Sequence, residues 1–247
     1  MNGTSLKDKA REFGIHFAEY KKQVNPEIAW YPHSTLANFI HLEDFFNKYP
    51  LDTLVYSDRI ADIGAADGDL AFFMGSLGYR VDIVDYAPTN YNGLMGARAL
   101  QEALSTKNDV QVFEVNLDEQ FSLPESRYSL IFCLGILYHF KNPYYVLEAL
   151  SRKCAYLVIS TRVAKFTPDG RYIGGSSLAY LLSPNESNND QTNYWVFTES
   201  CLERLVNRAG WDLIHKKCVG NIVASNPSDG DKDERCFMLL RSRVGSQ

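Results

Sequence analysis

The pattern of apolar and polar positions changes character once along the chain. Up to residue 56 the chain is rich in aromatics (among them Phe13, Phe17, Tyr20, Trp30, Tyr31, Phe39, Phe45, Phe46), in a segment that reads as a helical preface. From residue 59 onward short β runs alternate with helical patterns. Arg59–Ile63 is predicted as a strand. Leu70, Phe73, Met74 and Leu77 recur at i, i+3, i+4 and i+7, the face of an amphipathic helix that Gly78 stops. Arg80–Asp85 and Val110–Val115 read as strands, with a helix marked by Leu94, Ala97, Leu100 and Leu104 between them. Tyr128–Leu134 is nearly all apolar, as expected of a strand buried on both faces.

Asn142-Pro143 supplies a cap residue followed by proline at the first helical position, and Val146, Leu147 and Leu150 give the next helix its core face. Ala155–Ser160 is a fifth strand. Thr198 caps a helix through Leu202, Leu205 and Val206, ended by Gly210. Trp211–His215 and Arg235–Leu240 are the last two strands, joined by the polar loop at 226–233, where no helix is expected. Strands without a crossover helix pair antiparallel. The fold expected is α/β: a Rossmann-like, seven-stranded, mostly parallel sheet with a terminal antiparallel hairpin and helices on both faces. One strand is expected to run against the others. The domain reading is an N-terminal helical cap over 1–56 and a main domain over 57–247. Its insertion at 163–197 is long enough to be a lid or binding loop.

Composition narrows the function classes. In 247 residues, 45 % are apolar and 22 % charged, which excludes collagen, coiled coil and intrinsic disorder. The net charge of -5 argues against a dedicated nucleic-acid binder. Lys21-Lys22, Arg152-Lys153 and Lys216-Lys217 are short basic pairs, not a stripe. The longest apolar stretch, 128–140, is shorter than the roughly 20 residues of a membrane span. The first fourteen residues show no apolar signal core. Five scattered cysteines form no CxxC pair, so neither a metal site nor a disulfide framework is expected, and the protein reads as cytoplasmic.

The chemistry concentrates in Asp62-Ile-Gly64-Ala-Ala66-Asp-Gly68, between the first strand and the first helix of the α/β region. Such a turn lies at the carboxyl edge of a sheet, where open α/β folds bind ligands. Glycine allows a positive φ and a close approach of backbone to ligand. A dinucleotide fingerprint would need G-x-G-x-x-G, and two of those glycines are missing; Asp67 and Asp69 would repel a pyrophosphate. Asp62 suits instead a cationic ligand carrying an amino group and a sulfonium.

The motif resembles the first motif of class I S-adenosylmethionine (SAM) methyltransferases, with alanine for the middle glycine, over roughly residues 57–242. The resemblance implies that Gly64, Ala66 and Gly68 line the methionine part of the cofactor, with Asp62 acting on its amino group. It places Asp85 on the ribose, Asn116, Leu117 or Asp118 at the adenine, and Gly135 beside the methyl group. Leu134–Pro143 and Asn193–Thr198 are also similar to the tRNA wobble-uridine (5-oxyacetate) methyltransferase-like group, some of whose members use a carboxylated SAM.

Each further candidate has a plainer reading beside it. His139 is a general base or a backbone-bonded residue shaping the pocket, and Tyr138 a pocket wall more than an acid. Arg162 is a bidentate anchor for an acidic substrate or a solvated arginine. Asn189, Tyr194 and Trp195, in an Asn-rich stretch, contact a polar substrate or pack on the core. Trp30, Tyr31 and His33 close the pocket or seal the preface onto the sheet. The reading is a SAM-dependent methyltransferase acting at O or N of a small polar acceptor. The alternatives are a tRNA wobble-uridine methyl- or carboxymethyltransferase and a non-catalytic SAM-binding protein.

Overall fold

The computed structural model describes residues 5–57, 59–105, 109–119 and 121–244. They cluster into two compact units. The described residues up to Asn116, with Ser122–Phe132, form the first; those of Leu117–Phe121, with everything from Cys133, form the second.

The first unit begins with helix α1 (Leu6–Val24), capped by Ser5, whose Oγ accepts the Asp8 N–H. Helices α2 (Phe39–Lys48) and α3 (Leu51–Leu54) complete the preface. Strands β1 (Arg59–Ile63), β2 (Arg80–Asp85), β3 (Val110–Glu114) and the first part of β4 (Tyr128–Leu134) lie in the order β3-β2-β1-β4, all parallel. Ile60 pairs with Val81 on one side and Leu130 on the other, and every residue of β4 is buried. Helices α4 (Asp69–Ser76) and α5 (Met95–Leu104) connect these strands. Leu70–Gly75 of α4 are all buried, because the preface covers the face the sheet leaves open. Phe13 and Phe39 meet the Phe73 ring at 5.5 and 5.4 Å, and Phe17 meets Phe72 at 5.6 Å. Burying each such ring contributes roughly 1.5–3 kcal/mol.

The second unit holds the end of β4, helix α6 (Pro143–Ser151), strands β5 (Cys154–Val163), β6 (Ala179–Leu181) and β7 (Trp195–Phe197), helix α7 (Glu199–Arg208) and strands β8 (Trp211–Gly220) and β9 (Glu234–Ser242). Asn142 and Thr198 cap α6 and α7 as expected, accepting the N–H groups of Tyr145 and Cys201. β9 runs antiparallel between β5 and β8, the expected terminal hairpin, with a bulge at Leu213/His215.

The fold class stands, with corrections of detail. Nine strands form among the described residues, not seven, because the 163–197 stretch contributes β6 and β7. Two strands run against β5, since β6 pairs antiparallel with β7 while β7 is parallel to β5. The loop expected to be free of helix contains a short 3₁₀ turn at Gly230–Lys232, started by the Asp229 side chain.

Candidate active site

In the first unit the chain leaves β1 through Gly64, Ala66 and Gly68, at φ of 69°, 53° and 87°. At Gly68 the need for glycine is steric as well: a Cβ there would lie 2.5 Å from Ile83 Cδ1. Ala66 accepts the left-handed backbone because both its peptide groups are held. Its N–H donates to Asp85 Oδ2 at 3.2 Å, and its carbonyl accepts from Asn90 Nδ2 at 3.1 Å. Asn90 also donates to Asp85 Oδ2 at 2.9 Å, and the Tyr86 N–H donates to Asp85 Oδ1 at 2.7 Å. The end of β2 and the turn after β1 are thus one bonded assembly.

Asp62 is buried at the end of β1, and its Oδ2 has no hydrogen-bond partner among the described residues. Burial, then the charges of Asp85 and Asp69, push its carboxyl up to about 8. Burial also raises Asp85, against the bonds from Asn90, Tyr86 and Ala66. The site therefore stores unbalanced acidity where a cationic group would be favoured.

Asp67 and Asp69 do not face outward as bare charges. Lys21, buried at the end of α1, bridges both, at 3.1 Å from Asp67 Oδ2 and in direct contact with Asp69. Asp67 also accepts the Tyr31 N–H at 2.7 Å and Asn92 Nδ2 at 2.7 Å. The Trp30 ring lies 5.6 Å from the Lys21 ammonium, and its Nε1 donates to the Asn25 carbonyl. Trp30 thus seals the preface onto the turn. Tyr31 packs edge-on against His33 and Tyr91, at 5.4 and 5.6 Å, with His33 exposed. Lys21, Asn90 and Asn92 escaped the sequence reading. Lys21 sits in an ordinary basic pair, and only the docked helix reveals its role. Asn116 ends the first unit, half-buried just past β3.

In the second unit, Gly135 leaves β4 at φ 73° and donates its N–H to the Ser160 carbonyl at 3.0 Å. A 3₁₀ turn, Leu137–His139, follows. His139 Nδ1 lies 3.0 Å from the Thr192 carbonyl and 2.9 Å from its Oγ1. A carbonyl only accepts, so Nδ1 carries the proton and Nε2 keeps its lone pair. Burial lowers the His139 pKa from its ordinary value; Arg235 acts in the same sense, and the Thr192 bond and Asp190 oppose it. The imidazole is thus neutral at physiological pH. Tyr138 packs on it at 4.4 Å between ring centroids, and the Arg235 guanidinium stands 5.8 Å over the Tyr138 ring.

Leu117 is buried, and Asp118 accepts the N–H groups of Lys141 and Asn142. Arg162 is neither a solvated arginine nor an open anchor. It is 4 % exposed, donates through Nε to Asp233 and contacts Ser187. Asn189 is exposed, with φ 53°. Tyr194 donates its N–H to the Tyr138 carbonyl at 2.9 Å, and Trp195 has a buried Nε1 with no hydrogen-bond partner among the described residues. Glu199, Cys218 and Glu234 bring one donor atom each within 4.8 Å of one another, a grouping the sequence did not announce. Lys216 already stands on Glu199, and Lys165 on Glu234, as their counter-charges. A cavity of about 380 Å³ in the first unit, lined by Phe39, Phe46, Leu51 and the Lys7–Glu43 pair, includes none of the candidate site residues.

The model of a family described as a methyltransferase domain matches residues 41–216. No curated protein matches the chain in sequence. The N-terminal domain of EvdMO1 with SAH bound is similar in fold, at a TM-score of 0.59 and 14 % identity, over 93 % of this chain and 97 % of that one. The same domain in the presence of SAH and D-fucose gives 0.59 and 15 % over the same shares. Against EvdMO1 as a whole, the chain spans 51 % of that protein's length. The PH0226 protein from Pyrococcus horikoshii OT3 matches at 0.57 and 14 %, over 91 % and 99 %. The [4+2]-cyclase SpnF matches at 0.55 and 11 %, over 98 % and 97 %, so this fold also serves other chemistry.

Proposed function

The chain belongs to the methyltransferase-domain family, and we propose that it transfers the methyl group of SAM to an oxygen or nitrogen of a small polar acceptor. The observation that carries this reading is the buried Asp62 carboxylate with an unpartnered oxygen, beside a turn whose backbone is welded to Asp85. Those residues fit the cofactor. Asp62 offers a missing negative partner to an α-ammonium group, Gly64, Ala66 and Gly68 give a backbone a ligand can approach, and Asp85 Oδ1, which accepts one bond here, keeps a lone pair for a ribose hydroxyl. When bound, SAM supplies an electrophilic methyl group on a sulfonium. On the same reading, Asn116, Leu117 and Gly135 serve the adenine and methyl ends, following the resemblance of their positions to the family's.

His139, neutral and with a bare Nε2, takes the proton that the acceptor loses. Tyr138 forms a wall beside it. Tyr194, Trp195 and Asn189 supply polar and aromatic contacts for the acceptor, and Tyr31 and His33 cover the cofactor turn. The N-terminal domain of EvdMO1, crystallised in the presence of D-fucose, supports acceptor chemistry of the small hydroxylated kind. The tRNA reading keeps the support of the Leu134–Pro143 signature, against a net charge of -5.

Methyl transfer from labelled SAM to a panel of small hydroxylated and amino acceptors, with unmodified tRNA alongside, tests the proposal. Label in a small acceptor, reduced about 10²- to 10⁴-fold in His139→Gln, is the expected result. Label only in tRNA overturns the acceptor class. No transfer to any acceptor, with SAM still bound, returns the non-catalytic reading.

A further inference from the structure

His139 is held by residues that lie far along the chain, in the stretch between β6 and β7. Thr192 presents two oxygens to Nδ1, its carbonyl at 3.0 Å and its hydroxyl at 2.9 Å. The hydroxyl is not free to choose its role, because it lies 2.7 Å from Asp190 Oδ1, which also accepts the Thr192 N–H at 2.8 Å. A carboxylate only accepts, so the Thr192 O–H points at Asp190 and offers Nδ1 a lone pair. Both oxygens at Nδ1 are therefore acceptors. One residue further on, the Tyr194 N–H bonds the Tyr138 carbonyl at 2.9 Å, which fixes the same stretch to the turn that carries the imidazole.

We infer that Asp190, acting through Thr192, is a positioning residue that orients the Thr192 hydroxyl as a second acceptor for His139 Nδ1–H, beside the carbonyl that sets this tautomer, and so keeps Nε2 unprotonated as the proton acceptor for the methyl acceptor. The inference rests on the proposed role of His139 and specifies what makes that role possible. As the acceptor atom forms its bond to the methyl carbon, the carbon–sulfur bond breaks with its electron pair left on sulfur. The acceptor's proton moves to Nε2 and then to solvent. The opposite tautomer, with Nε2–H, has no lone pair facing the acceptor and cannot take that proton. The charged groups that act on His139 are Asp190 and Arg235, of opposite sign, with Tyr138 packed on its face.

The lock has a particular signature. Removing the carboxylate frees the Thr192 hydroxyl to turn and compete with the carbonyl by donating to Nδ1, so Asp190→Ala raises the share of the Nε2–H tautomer above that of the wild type. Removing the hydroxyl as well, in Asp190→Ala/Thr192→Val, leaves only the carbonyl and restores Nδ1–H. Asp190→Asn keeps an acceptor oxygen, and therefore the tautomer, but loses the charge, so the imidazole pKa falls further. Nitrogen-15 spectra of the full-length protein, labelled at histidine, read each case directly at about pH 8, where an unperturbed imidazole is neutral. His139→Gln assigns the resonances among the five histidines.

The expected result is a wild-type Nε2 resonance in the unprotonated range that moves toward the protonated range in Asp190→Ala and returns in the double variant. Thr192→Val alone keeps the wild-type pattern. A protonated Nε2 in the wild type, or an Nε2 resonance unmoved by Asp190→Ala in a protein whose other resonances are unchanged, overturns the inference. Should Asp190→Ala fail to fold, the Asp190→Asn titration decides: an unchanged His139 pKa overturns the link to Asp190. The tautomer signature holding while His139→Gln transfers methyl groups at the wild-type rate would remove the base role but keep the lock.

Discussion

Asp62 is a carboxyl whose cost and use can be measured separately. Its pKa is raised in the folded chain to about 8, while in the unfolded chain it ionises near 4. Between those values the folded state binds more protons, so this group's contribution to stability falls as pH rises from about 4 to about 8. Asp62→Asn is expected to flatten that fall and raise the melting temperature at pH 8, read by thermal unfolding across the range. The same variant should weaken SAM binding. A cationic partner favours the ionised carboxylate, so binding to the wild type at pH 7 should release a proton, seen as a buffer-dependent heat. Equal heats in buffers of different ionisation enthalpy would count against Asp62 as the ammonium's partner. The turn that brings Asp62, Gly64, Gly68 and Asp85 together is legible in the sequence, because these are local features of a strand–turn–helix pattern. The roles of Lys21 and Arg162 are not legible in the sequence because their partners lie far along the chain. Asp67 is 46 residues from Lys21, and Asp233 is 71 from Arg162.

At the scale of elements, α1 and the cofactor turn behave as one unit. Breaking a buried pair by removing one partner typically costs about 3–5 kcal/mol. Lys21→Met should therefore destabilise the protein by that order in urea unfolding, more at pH 8 than at pH 5, since the Asp69 carboxyl, already raised by burial, can take up a proton at low pH. Gly68→Ala tests the turn itself. A left-handed alanine costs about 1–2 kcal/mol, and the clash with Ile83 and Phe72 about 1–3 more. Ala66→Gly should be tolerated, because the backbone there is already left-handed. A helix with strong periodicity, such as α5, and a strand with an unbroken apolar run, such as β4, are legible in the sequence nearly to the residue. Strands β6 and β7 were missed because three-residue strands carry too few positions to show a period. Their pairing depends on where β5 ends.

At the scale of the whole molecule, the sequence motif, the family match and the chemistry of the buried carboxylates point to one cofactor. The acidic balance predicts little affinity for nucleic acid. Binding of tRNA should be weak at low salt and negligible near physiological salt, as filter binding across a salt series would show. The turn after β1 is expected to recognise a sulfonium cofactor. Parallel calorimetric titration of the purified protein with SAM, carboxylated SAM and NAD tests it most directly. Binding of SAM in preference to NAD, lost or strongly weakened in Asp85→Ala, is the expected result. A preference for the carboxylated form would move the acceptor toward tRNA while leaving the cofactor site in place. Binding of neither sulfonium ligand would contradict the assignment of Asp62, Gly64, Gly68 and Asp85, and with it the proposed reaction.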